Sequence, residues 1–139
     1  MTYKYFEHTS DVIFEAYGKS LEELFVSAGL ATEELMVELK TLSPNLKEEI
    51  KVKGKDVEEL LYNFLEELIF LKDTKLLLFK EFQIKIKEGK EYSLKVIAKG
   101  EVINREKHEL GRDVKAVTLH QFEVKKDNGK WKARVLIDI

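Results

Sequence analysis

The hydrophobic pattern of the chain changes period part-way along, and that change limits its fold more than any other feature. In "VEELLYNFLEELIFLKD" the apolar residues Val57, Leu60, Leu61, Phe64, Leu65, Leu68 and Leu71 recur every three or four positions. Only one face of a helix brings such a set together. Asp56 and Glu59 stand at the spacing of a helix-capping pair just before it. Beyond Asp73 the period becomes two. "FQIKIKEGKEYSLKVIAKGEV" alternates on both sides of Glu88–Gly89–Lys90, and "VKAVTLHQFEVKKDNGKWKARVLIDI" alternates around Asp127–Asn128–Gly129. Each reads as two antiparallel strands joined by a short turn, with Asn-Gly suited to the positive φ of a tight hairpin. A chain with both periods must lay helices on a sheet.

The first half supplies the remaining elements. Tyr3 to Glu7 and Val12 to Tyr17 read as short strands flanking "HTSD". After Gly18, Ser20 and Glu23 form a second capping pair, and Leu21, Leu24, Phe25, Ala28 and Ala31 follow at helical spacing. "PNL" breaks the chain, and "EEIKVKG" alternates as a strand ending at Gly54. The predicted order is β-β-α-β-α-β-β-β-β. This is an α+β fold of two layers, with two helices on a largely antiparallel sheet of about seven strands. No linker, repeat or low-complexity segment divides the chain, and 139 residues is the size of one domain, so a single domain over 1–139 is expected.

Composition excludes some functions. With 24 Lys+Arg against 26 Asp+Glu the net charge is -2, which gives no bulk attraction to nucleic acid or anionic lipid. Strong direct nucleic-acid binding and membrane association are therefore not expected. The absence of cysteine removes disulfides, thiolate nucleophiles and Cys-ligated zinc. There is no signal-like segment and no apolar run near the length of a membrane span, which points to a cytoplasmic protein.

The polar groups with chemical potential lie at the strands. His8, His108 and His120 all fall just outside or at the ends of predicted strands. In the closing "VLIDI", alternation places Trp131, Ala133, Val135 and Ile137 on one face and Asp138 on the other. Each residue has an ordinary reading. Asp11 can bond backbone amides in a turn, Asp138 can be a solvated strand end, and Lys115 and Arg112 beside Gly111 can decorate a loop rather than contact phosphate. A zinc site drawn from the histidines and Asp11 is a further alternative, although their spacing matches no compact zinc motif.

Taken together in this order, "HTSDVIFEAYG", "GKSLEELFVSAGLA", "DVEELLYNFLEELIFLKD", "KGEVINREKHE", "VKAVTLH" and "WKARVLIDI" resemble the Archease family over nearly the whole chain. Ser10 stands where the family usually has alanine, and Leu119 where it often has tyrosine. The resemblance implies a small accessory protein of RNA metabolism that activates the RtcB-type RNA ligase of tRNA splicing by promoting guanylylation and turnover of the ligase. It also implies a chaperone-like role toward a tRNA cytosine methyltransferase in some members. It further implies a divalent-cation site, usually described as calcium, through Asp11, Asp138 and Ile139, with Lys115 at a position needed for ligase activation. Two aspartates and an oxygen at Ile139 supply about half of a calcium shell. They converge only if the strands carrying Asp11 and Asp138 are neighbours. The competing function is a small metal-dependent hydrolase using a cation-bound water and a histidine. The chain has no recognisable nucleophile elbow, phosphate loop or catalytic triad, which favours the accessory, non-catalytic role.

Overall fold

In the computed structural model, which describes residues 2–7 and 11–139, two helices and seven strands follow one another in the expected order. They are β1 (Thr2–Glu7), β2 (Asp11–Gly18), α1 (Leu21–Met36), β3 (Leu46–Gly54), α2 (Val57–Lys75), β4 (Leu77–Glu88), β5 (Tyr92–Val102), β6 (Ala116–Asp127) and β7 (Lys130–Asp138). A short 3-10 turn over Leu39–Thr41 lies between α1 and β3.

Both helices begin as their capping residues dictate. The Ser20 hydroxyl accepts from the Glu23 amide at 3.1 Å, and the Asp56 carboxylate accepts from the Glu59 amide at 2.8 Å. Each cap follows a glycine at the end of a strand. A Cβ on Gly18 would lie 2.3 Å from the Leu24 nitrogen, and one on Gly54 would lie 2.5 Å from the Leu60 nitrogen. The strand end thus passes directly against the first helical turn in both places. "GKSLEEL" and "GKDVEEL" are one strand-to-helix corner used twice, a short repeat hidden among longer patterns. α2 runs two residues past Asp73 and ends at Leu76, which caps it in the left-handed region (φ 56).

The strands are antiparallel and divide into two sheets, β1-β2-β7-β6 and β3-β5-β4. Helix α1 touches β1, β2 and β7 of the first sheet and β4 of the second; α2 touches β6 of the first and β3, β4 and β5 of the second. The helices therefore fill the space between the sheets. This explains why α1 is buried on most of its circumference, with Leu24, Phe25, Ala28, Ala31 and Met36 joined by the buried polar residues Ser27, Thr32 and Glu33. Phe64 stacks on Phe25 at 6.0 Å and meets Phe82 edge-on at 5.7 Å, linking both helices to β4.

The β6–β7 hairpin is regular at its tip and irregular in its middle. Its turn is the expected one, with Asn128 and Gly129 both at positive φ (52° and 76°). The alternation expected through residues 114–127 is interrupted, however: pairing with β7 slips between Thr118 and Glu123, and Gln121 takes φ 59. His120 sits inside this bulge rather than at a strand end.

Candidate functional site

The β2–β7 register puts Asp11 directly opposite Asp138. Directly opposed residues share a face, with Cβ atoms roughly 4.5–5.5 Å apart. The pairs Val12–Ile137, Phe14–Val135 and Ala16–Ala133 take the buried, helix-side face, so the two aspartates lie on the outer one, both partly exposed. β6 completes the corner. Ala116 pairs with Asp138 from the other side, and the Lys115 amide donates to the Asp138 carbonyl at 2.9 Å. Ile139 follows at once. Asp11, Asp138, Ile139 and Lys115 are thus brought to one corner of the four-stranded sheet. His8, Thr9 and Ser10 of the "HTSD" motif lie outside the described residues.

The next row of this face sets Phe6, Ile13 and Leu136 side by side and ends at Thr118. Phe6 is 44% exposed, and Leu119, at the start of the bulge, is 69% exposed. One row further, Glu15 is paired with Lys132 at 3.1 Å and Arg134 at 3.6 Å. The acidic corner is therefore flanked by exposed apolar groups and a neutralised charge cluster.

Helix α2 fixes the β6 side of this corner. β6 is an edge strand, and α2 side chains cover its free backbone groups. Glu66 accepts from the Val117 amide at 3.1 Å, Glu58 accepts from the Val124 amide at 3.3 Å, and Lys72 donates to the Val114 carbonyl at 2.8 Å. Lys72 is itself almost buried and ion-paired with Asp73 at 2.6 Å. Val114 precedes Lys115, so the Lys72 ammonium anchors the segment that delivers Lys115. On a sequence wheel these residues look like the solvated side of α2, and only the pairing of the strands reveals their partner.

Neither of the two described histidines, His108 and His120, joins a cation-binding group. His108 is buried, its Nδ1 accepts from the Asn104 amide at 3.0 Å, and its Nε2 lies 3.0 Å from a Glu101 oxygen. Accepting at Nδ1 leaves the ring proton on Nε2, so both ring nitrogens are committed. Glu101 also accepts from the Ser43 amide at 2.6 Å and from Lys107 at 2.7 Å, and Lys107, His108 and Ser43 hold its carboxyl down at about 2. That cluster, which sequence reading missed, pins the segment between β5 and β6. Arg112 is fixed through its backbone, its amide donating to Leu35 at 2.7 Å beside Gly111, which donates to Met36. Among the described residues no three His, Cys, Asp or Glu come together as a cation-binding group.

Known proteins align with this chain over nearly its whole length. The model of the Archease protein family (MTH1598/TM1083) matches residues 3–139. The chain belongs to the archease family. Proteins named archease from Pyrococcus abyssi and Methanosarcina mazei are 40% and 39% identical to it, each over 99% of this chain and 98% and 95% of their own lengths. The solution structure of protein 1598 of Methanobacterium thermoautotrophicum superposes with a TM-score of 0.88 at 37% identity, covering 99% of this chain and 98% of that one. The crystal structure of an archease from Thermotoga maritima, described as a possible chaperone, gives 0.62 at 25% identity over 98% and 96%. Among the described residues of this chain no helix is long and apolar enough to cross a membrane.

Proposed function

We propose that the chain is a non-catalytic activator of an RtcB-type RNA ligase of tRNA splicing. In this reading Asp11, Asp138 and an Ile139 oxygen hold a divalent cation, calcium by preference, and Lys115 acts beside them on the ligase. The observation that carries it is the register: Asp11 opposite Asp138, with the Lys115 amide on the Asp138 carbonyl. Two carboxylates this close favour a positive charge between them. Oxygen ligands alone suit a hard cation, whose six to eight positions they fill only in part. The remainder falls to water and to groups of a partner, so the site is suited to completion by another protein. When bound, the cation supplies positive charge for phosphate or carboxylate groups of that partner.

Activation then needs no chemistry from this chain. A protein that binds the guanylylation-competent state of the ligase more tightly than the others shifts the ligase population toward it. Exposed Phe6 and Leu119 beside the corner offer apolar anchors for such binding. A second reading, chaperone of a tRNA cytosine methyltransferase, draws support from the description of the Thermotoga maritima relative as a possible chaperone.

Label transfer from radioactive GTP to a cognate ligase, with and without a substoichiometric amount of this protein, tests the reading. Faster guanylylation and multiple turnover are expected, with no nucleotide hydrolysis by the protein alone. An unchanged ligase defeats the activator reading, and phosphate release by the protein alone favours the hydrolase.

A further inference from the structure

The chain carries a small negative excess, yet the outer face of the three-stranded sheet is strongly basic. The register of β3, β5 and β4 shows why. The rows Ile50–Val96–Ile84 and Val52–Leu94–Ile86 turn toward the helices. Between and beyond them, Lys51, Lys95 and Lys85 stand directly opposite one another across all three strands, followed by Lys53, Ser93 and Lys87. On the other side come Glu49, Ile97 and Gln83, then Lys47, Lys99 and Glu81. Seven lysines face two glutamates over these four rows. The compensation is slight: Lys51 lies 3.3 Å from Glu49, and Lys53 lies 3.7 Å from Glu91, with the two lysine side chains 68% and 72% exposed.

Like charges directly opposed across strands destabilise a sheet. A row of three lysines is therefore an arrangement that the fold does not need, since none of them packs in the core. A sequence that breaks a local stability rule without structural return marks a functional surface. A concavity of about 450 Å³ between Glu49, Gln83, Lys85, Lys95 and Ile97 lies on this face, and a larger one of about 790 Å³ at its end also takes in Glu22 of α1 and the helix-facing Val52 and Leu94.

We infer that this face binds the phosphodiester backbone of folded RNA, centred on Lys51, Lys85 and Lys95. The lysines form a grid of roughly 4.8 Å by 6.7 Å, from strand spacing and twice the rise per residue. Such closely spaced positive charges complement the closely spaced phosphates of a nucleic-acid backbone, whose neutralisation releases counterions. The four rows contain no arginine fork and no aromatic ring, so the face neither reads base edges nor stacks bases. It engages charge and shape. The face lies on the other sheet from Asp11 and Asp138, which leaves that corner free for a protein partner while RNA is held. The choice of RNA rather than DNA rests on the proposed ligase role.

Fluorescence anisotropy with a labelled RNA hairpin tests this. The wild-type protein is to be compared with a triple variant, Lys51→Gln, Lys85→Gln and Lys95→Gln, and with a control triple, Lys19→Gln, Lys55→Gln and Lys130→Gln, at exposed positions outside the face. Expected are wild-type affinity that falls steeply with salt, at least about tenfold weaker binding by the first variant with a salt slope lower by roughly 1 per lysine, and a control within about twofold of wild type. The first variant melts no lower than wild type, because repulsion is relieved. Equal binding by wild type and the first variant, or no binding by wild type at low salt, overturns the inference. So does duplex DNA bound as tightly as the hairpin, or polyglutamate competing as well as unlabelled hairpin, which would mark an acidic protein as the occupant. Guanylylation of the ligase without RNA, measured with the same variant, separates the two readings: retained stimulation is expected, and its loss would overturn the independence of face and corner.

Discussion

Glu33 is the residue whose environment departs furthest from its sequence context. In "ATEELM" it reads as a solvated helix position, but it is fully buried, with one oxygen accepting from the Phe79 amide at 2.9 Å and the other unpartnered among the described residues. Burial pushes its carboxyl up to about 8, against the smaller opposing effects of the Phe79 amide and Lys72. In the unfolded chain it titrates near 4.5. Between these values the folded state holds a proton that the unfolded state releases, so this contribution to stability is whole below pH 4.5, declines through the window and is lost above about 8. Glu33→Gln removes the titration. Denaturant unfolding below pH about 5 and above pH about 9 is expected to show the variant gaining on wild type by up to a few kcal/mol as pH rises. A constant difference across pH would show that burial does not raise the Glu33 carboxyl above its unfolded value.

At the scale of elements, what depends on adjacent residues was legible. The capping pairs at Ser20 and Asp56 start helices where expected, and Asn128–Gly129 turns the last hairpin. What depends on distant strands was not. Nothing local in "VKAVTLHQFEV" signals that β7 skips several β6 residues between Thr118 and Glu123, or that Glu58, Glu66 and Lys72 of α2 bond the β6 backbone. The C-terminus of α2 shows a local rule broken, since Leu76 occupies a left-handed position that suits glycine. Its side chain is 51% exposed, so little packing is at stake. Leu76→Gly is expected to stabilise by about 0.5–1 kcal/mol, the relief of left-handed strain less the flexibility gained in the unfolded chain. A shift of the urea midpoint to higher concentration checks this; a shift to lower concentration would mean that the leucine's apolar contacts outweigh the strain.

For the whole molecule, the alternation of each strand told which residues turn inward but not which strands are neighbours. The division into two sheets with helices between them follows only from pairing. The lysine face was hidden for the same reason, because each strand shows only two or three lysines and the net charge is near balance. The residues proposed for the corner site were named through the family resemblance. Its geometry rests on one pairing, β2 with β7. Calorimetric titration of calcium into the wild-type protein, Asp11→Asn and Asp138→Asn tests that geometry most directly. One binding event is expected in the wild type, weakened at least about tenfold by either substitution with the circular dichroism spectrum unchanged. Calcium bound equally by all three, or by none, would contradict a cation site at this corner.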